Sequence, residues 1–168
     1  IEDAQAPSMA ARTAALAFVQ RKPHFGLYRV STEAGDGSKP QRLFASSGRD
    51  TLPAVAPDGR QIVFTSDRSG EFALWWADME RPASLRLIEG VRPESRYLPV
   101  WSPDSRRVLV VGSDAAGNFG LYEISPANGQ IGRLRIPADA GDLLTAAYLP
   151  DPSRLLVITG RADGGQRL

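Results

Sequence analysis

The sequence predicts an all-β chain made of a repeated four-stranded unit, and three observations carry that expectation. Phe25-Gly26-Leu27-Tyr28, Phe72-Ala73-Leu74-Trp75 and Phe119-Gly120-Leu121-Tyr122 follow one another at intervals of 47 residues. A Pro-Asp turn recurs ahead of an apolar strand: Pro57-Asp58-Gly59-Arg60 precedes Ile62-Val63-Phe64, and Pro103-Asp104-Ser105-Arg106 precedes Val108-Leu109-Val110-Val111. Those strands are apolar at consecutive positions, whereas a sheet with one wet face alternates, so both faces of each central strand are expected to be covered. A fixed period of this length marks a repeat architecture. Small antiparallel sheets stacked face to face around an axis, each covered by its neighbours, make a β-propeller. Helical repeats are excluded because Pro and Gly interrupt every candidate run.

In the clearest unit, strand A is Pro53 to Ala56, B is Gln61 to Ser66, C is Phe72 to Ala77 and D is Leu85 to Ile88. Short loops join them into an antiparallel meander. Asn128-Gly129 signals the hairpin between C and D of the next unit, since both residue types tolerate positive φ. The first unit is degenerate. Pro7 lies 46 residues before Pro53, but Ala11-Arg12-Thr13 replaces the Pro-Asp-Gly turn, and strand B resumes at Leu16-Ala17-Phe18-Val19. In the fourth unit Tyr148 takes the place of Trp101 and Pro150-Asp151 that of Pro103-Asp104, while Leu168 aligns with Leu121 inside strand C. The expected blades are 7–49, 50–95, 96–142 and an incomplete 143–168, about three and a half in all. Propellers close with four or more blades, so the ring is expected to need further blades or a second copy.

Composition narrows the function. Net charge is +1 with acidic and basic residues interleaved, so the basic stripe of a nucleic-acid binder is missing and no direct nucleic-acid binding is expected. Cysteine is absent, which removes disulfides and thiolate chemistry and is compatible with either side of a membrane. The longest apolar run, Leu143 to Leu149, is far short of the about 20 residues that span a bilayer, so no span is expected in this segment. The preponderance of Arg over Lys, with many Ala and Gly, has the style of a bacterial genome rich in G and C.

Trp101-Ser102-Pro103-Asp104, Pro57-Asp58-Gly59-Arg60 and Ser66-Asp67-Arg68-Ser69-Gly70 with Phe72 to Trp75 resemble the repeat of TolB-like propellers. The resemblance runs from about Pro7 to Leu168 and is strongest in the second and third units. It implies one of three settings. Periplasmic TolB proteins use the propeller as a protein-binding platform. Membrane-anchored winged-helix regulators of the CadC type carry such repeats beyond their transmembrane helix. Prolyl-oligopeptidase relatives use a propeller to gate a separate hydrolase domain.

No catalytic constellation accompanies these repeats. His24 is the one histidine and falls in a B–C loop, where a solvated loop residue is the simple reading; a Ser-His-Asp triad would have to use it. No G-x-S-x-G elbow, H-E-x-x-H, P-loop or EF-hand spacing occurs. Asp58, Asp104 and Asp151 recur in the A–B turn and read as turn residues that accept their own backbone amides. Asp67 and Asp114 recur in the B–C loops; they stabilise those loops or, in a closed ring, could hold Ca²⁺ at the channel mouth, which demands six or more oxygens. Trp101 and Trp75 read as core. Trp75 and Trp76 are adjacent and point to opposite faces.

Strand parity places the D–A and B–C connections at one end of the propeller and the A–B and C–D turns at the other. The first end carries the longer loops, with Arg49-Asp50, Asp67-Arg68-Ser69, Pro93 to Tyr97 and Asp114-Ala115. Loops with Arg and Tyr concentrate interface energy, so Arg68, Arg96 and Tyr97, with Asp67 and Asp114, are the expected contacts for a protein or small ligand. The expected function is a non-catalytic interaction or sensor module, periplasmic or otherwise extracytoplasmic. It belongs to a membrane-anchored transcriptional regulator or a TolB-like platform; the alternative is the gating propeller of a serine peptidase.

Overall fold

In the computed structural model, residues 4–10, 15–20, 25–33, 37, 39–136, 142–151 and 153–160 are described; side chains are described from residue 25 on, except those of 142–144. The strands are β1 (Ala4–Ala10), β2 (Ala15–Gln20), β3 (Leu27–Arg29), β4 (Gln41–Leu43), β5 (Asp50–Val55), β6 (Gln61–Ser66), β7 (Ala73–Asp78) and β8 (Arg81–Ile88). They continue as β9 (Val91–Pro93), β10 (Val100–Trp101), β11 (Val108–Asp114), β12 (Phe119–Ser125), β13 (Gln130–Leu134), β14 (Asp142–Tyr148) and β15 (Leu155–Gly160). Every pairing is antiparallel between near neighbours in sequence. The fold is an all-β partial propeller.

The second unit is the expected meander, β5-β6-β7-β8. The third has the order β10-β11-β12-β13, with β9 also paired to β11. The fourth shows its first two strands, β14 and β15. The first unit departs from the expected single sheet: β1-β2 and β3-β4 are separate two-stranded sheets among the described residues. The expected position of Leu168 in a strand C, and His24, lie outside the described residues.

Consecutive apolar residues on the central strands serve opposite cores. On β6, Ile62 and Phe64 join Leu27, Leu43 and Ala77 against the first unit, while Val63 joins Leu74, Trp101, Val108, Val110, Tyr122 and Ile124 against the third. On β11, Val108 and Val110 face back to the second unit, and Leu109 and Val111 face forward to Ala146, Tyr148 and Val157. Period-two geometry sends alternate side chains to opposite faces, so a strand covered on both sides is apolar throughout. Each fully buried Val, Leu or Phe contributes roughly 1.5–3 kcal/mol; Phe64, Val63, Leu74 and Val108 are fully enclosed. Trp75 packs on the first-unit side and Trp76 on the third-unit side.

Aromatic residues in the first strand also tie neighbouring sheets by hydrogen bonds. The Trp101 indole N–H donates to the Ala54 carbonyl at 2.9 Å. Tyr148, in phase with Trp101, donates its hydroxyl to Glu123 Oε1 of the third sheet at 2.8 Å. Burial, then that carboxylate, raises the Tyr148 pKa.

The prolines at the 46-residue spacing mark a common irregularity. The register of the first strand slips between Gln5 and Ser8, between Thr51 and Ala54, and between Pro93 and Val100, so Pro7, Pro53 and Pro99 all lie in the slip. A residue with no N–H is tolerated where the ladder is already broken. Leu52 adopts φ 50° in the second of these bulges. In the third unit the bulge grows into the excursion Glu94–Pro99. Residues 91–93 pair with the third sheet, with Gly112 opposite Pro93 and Asp114 opposite Val91. Two glycines permit it. Gly90 turns the chain at φ 91°, and a Cβ on Gly112 would lie 2.2 Å from the Arg92 carbonyl oxygen.

Candidate interaction site

The turns divide between two ends as strand parity requires. At one end the A–B turns stack: the Asp58 N–H donates to Ser105 Oγ at 2.9 Å, and Gln61 Nε2 donates to the Ser105 carbonyl at 3.0 Å. Asp58, Asp104 and Asp151 each accept the backbone N–H two residues ahead, at 2.8, 3.1 and 2.9 Å. Their pKa values are lowered, Asp58 chiefly by Gln61, Asp104 by Ser102 and Asp151 by Ser153. The Asn128-Gly129 hairpin turns over four residues, and only its Gly takes positive φ (72°), with Asn128 Oδ1 accepting from Gln130 N–H.

The opposite end gathers the longer loops and two exposed aromatics of the periodic set, Phe72 and Phe119, with Phe25 also exposed. Arg68 is turned inward there. Its guanidinium pairs with the enclosed Asp50 carboxylate at 2.7 Å, donates to Ser66 Oγ and the Phe44 carbonyl, and lies over the Phe64 and Trp75 rings. It joins the connection leaving β4 to the second sheet, and its side chain is 9% exposed. Asp67 bridges the same two loops. It accepts from the Arg49 N–H at 2.6 Å and from Arg49 Nε at 3.0 Å, and its pKa is lowered, first by the backbone bond.

Asp114 closes the next B–C loop, accepting from Ala116 N–H, Asn118 N–H and Asn118 Nδ2; the Asn118 side chain contributes most to lowering its pKa. Among the described residues no group of three His, Cys, Asp or Glu converges to hold a metal ion. Arg96 is open to solvent and meets Glu94 at 3.5 Å, whereas Tyr97 packs against the core between the third and fourth sheets. Both belong to the Glu94–Pro99 excursion of the first strand, so they stand apart from Arg68 and Asp67.

Two adjoining clefts open on this end; Asp114, an expected contact, lines one of them, while Gly90 and Arg92 were not singled out from sequence. One, of about 440 Å³, has Phe72, Leu87, Ile88 and Val91 as apolar lining, with Glu71, Glu89 and Arg92 among its polar residues. The other, of about 380 Å³, is bounded by Pro93, Glu94, Gly112, Ser113 and Asp114. Arg92 and Ala115 border both. The period of Phe72 was a usable signal. The role of Gly90 and Arg92 was hidden, because their pairing with β11 depends on where the excursion falls.

No protein-family model matches the chain. Over 44 residues it is 57% identical to the Tol-Pal system protein TolB of Bordetella pertussis (strain Tohama I), covering 26% of this chain and 10% of that protein. Over 114 residues it is 31% identical to the Tol-Pal system protein TolB of Anaeromyxobacter sp. (strain K), covering 68% of this chain and 25% of that one. The crystal structure of TolB from Acinetobacter baumannii superposes with a TM-score of 0.57 and 25% identity, over 77% of this chain and 31% of that structure.

Its repeats are TolB-like β-propeller repeats.

TolB-like repeats of this kind also match the uncharacterized peptidase YuxL of Bacillus subtilis (strain 168), 35% identical over 69 residues, 41% of this chain and 10% of that protein. An oligogalacturonate lyase in complex with manganese shares the fold, with a TM-score of 0.58 and 19% identity over 93% of this chain and 45% of that structure. The TolB-like segment spans 10% and 25% of the length of the two TolB relatives above.

Proposed function

We propose that this TolB-like propeller is a non-catalytic, protein-binding platform of an extracytoplasmic bacterial protein. The observation that carries the reading is the likeness to TolB in both sequence and fold, with the same repeat running through the second and third sheets. The physical form supports it: the second and third sheets, packed on both faces, present one loop-rich end with exposed Phe72 and Phe119, and exposed aromatics on a rigid scaffold are where interface energy concentrates. Arg96, Asp67 and Asp114 border this end and are proposed as contacts, with Arg68 and Tyr97 holding the loops that carry them. The extracytoplasmic part of a membrane-anchored transcriptional regulator is one setting in which such a platform would serve.

The match to a protein named as a peptidase favours a second reading, in which the propeller gates a hydrolase domain supplied by another segment. The two readings separate in one experiment. The protein at its full length is immobilised, exposed to a bacterial periplasmic extract, and assayed in parallel against chromogenic peptides and oligogalacturonate. The platform reading expects stoichiometric retention of a defined protein and no turnover. Peptide turnover by the full-length protein, or retention of no protein, overturns it.

A further inference from the structure

We infer that the twin clefts between the second and third sheets seat an extended peptide segment of a protein partner, one bearing an apolar side chain and, two residues on, a basic one. The inference rests on the platform reading and names the chemistry of what the platform holds. The first cleft offers Phe72, Leu87, Ile88 and Val91 as an apolar lining, which suits one or two aliphatic side chains. The second lies beyond Arg92 and Ala115 and is bounded by Glu94, Ser113 and Asp114, which suits a cationic one. An extended strand rises about 3.3 Å per residue and sends alternate side chains to one side, so two side chains of one face can enter two clefts that share a wall at Arg92 and Ala115.

Charge decides the sign of the partner. Of the four carboxylates on the two rims, Glu71 meets Arg92 at 3.3 Å and Glu94 meets Arg96 at 3.5 Å, both as solvent-facing pairs. Glu89 and Asp114 have no ionic partner among the described residues; the groups bonded to Asp114 are neutral amides and an Asn side chain. The unbalanced charge at the rim is therefore negative. An Arg or Lys of the partner is attracted, and a phosphate backbone is repelled. Exposed pairs such as Glu71 with Arg92 are weak enough to exchange partners.

The probe is a fluorescent peptide of about eight residues that repeats Leu-Ser-Arg-Ser, so that Leu and Arg follow one another on one face, titrated by anisotropy against the full chain. Peptides with Glu in place of Arg, and with Ser in place of Leu, serve as controls. The expected result is binding of the Leu-Arg peptide at least about tenfold tighter than either control, weakened by added salt as screening requires. Ala115→Trp, on an exposed turn residue shared by both clefts, is expected to block binding with an unchanged melting temperature. Glu89→Lys is expected to weaken binding by about tenfold. Equal binding of the three peptides, no binding of the Leu-Arg peptide, or undiminished binding by folded Ala115→Trp each overturns the inference. Failure here and failure of the platform reading remain distinct. If the immobilised Ala115→Trp chain retains the same partner protein as the unaltered chain, the platform stands and the cleft is not its seat.

Discussion

The Asp58 N–H donates to Ser105 Oγ at 2.9 Å, 47 residues on in the chain, joining equivalent turns of adjacent sheets. Ser105 holds φ 59° at the position where the preceding turn has Gly59 at φ 69°. A non-glycine residue in that region costs roughly 1–2 kcal/mol, and the hydroxyl bond between sheets offsets part of it. Ser105→Gly relieves the backbone but removes the bond, so the two effects largely cancel. Ser105→Ala keeps the strain and loses the bond, and is expected to destabilise by about 1 kcal/mol more than Gly does. Urea unfolding midpoints of the two variants check the order.

The Asp50–Arg68 pair predicts a strong, non-additive response. Asp50 and Arg68 are both buried, and the second Asp50 oxygen already has no hydrogen-bond partner. Arg68→Ala leaves that carboxylate unpaired inside the protein and is expected to cost about 3–5 kcal/mol. The double variant Asp50→Leu, Arg68→Met removes both charges and is expected to be much less damaging than the two single changes summed. Additive single effects in a double-mutant cycle would sink the assignment of Arg68 as a staple between the loop after β4 and the second sheet.

Gly112 predicts a local failure with a defined boundary. Its missing Cβ is the space into which the Arg92 carbonyl fits. Gly112→Ala forces β9 off β11 and is expected to cost about 1–3 kcal/mol, as overpacking does. Hydrogen exchange should rise at β9 and at the β11 amides opposite it while β5–β8 stays protected. Uniform loss of protection would contradict the reading of residues 91–93 as a locally fitted strand.

Acid sensitivity follows from Asp67. The Arg49 backbone N–H, against an opposing effect of burial and with help from the Arg49 side chain, holds its folded pKa below the ordinary 3.8. A depressed folded pKa means that the stabilisation is complete above about pH 4 and is lost as pH falls through the folded value. Asp67→Asn is therefore expected to be less stable than the unaltered chain at neutral pH, with the gap closing below about pH 4. A gap that stays constant in denaturation curves across this range would show that the loop bridge does not depend on the carboxylate charge.

Much of the architecture was legible in residue order, and the misses have physical causes. Strand B of the second unit was bounded as Gln61 to Ser66, the observed β6. That strand is covered on both faces and its apolar run has sharp ends. Strand D was expected from Leu85, whereas β8 begins at Arg81; its first half is exposed and polar, so no hydrophobic pattern announces it. Residues Pro93 to Tyr97 were assigned to the connection between sheets, because the Pro-Asp turn and the Phe landmark give spacing but not register. Arg68 looked like a surface residue of a loop. What makes it a staple is Asp50, 18 residues away, which only pairing of β5 with β6 brings beside it.

By itself the sequence determined the repeat, its all-β character and the inward role of Trp101, since periodic Pro-Asp turns and doubly apolar strands admit few other packings. Tertiary structure alone decided which loop residues face solvent and which are consumed between sheets. It also decided that the open clefts lie around Arg92 and Ala115, with Ser69 and Glu71 of the Arg68 loop lining one of them while Arg68 itself turns inward. The reason is geometric. Local pattern fixes the faces of a strand, whereas the surface left over depends on how far each first strand slips at its proline and on which carboxylate each arginine meets across the sheet boundary.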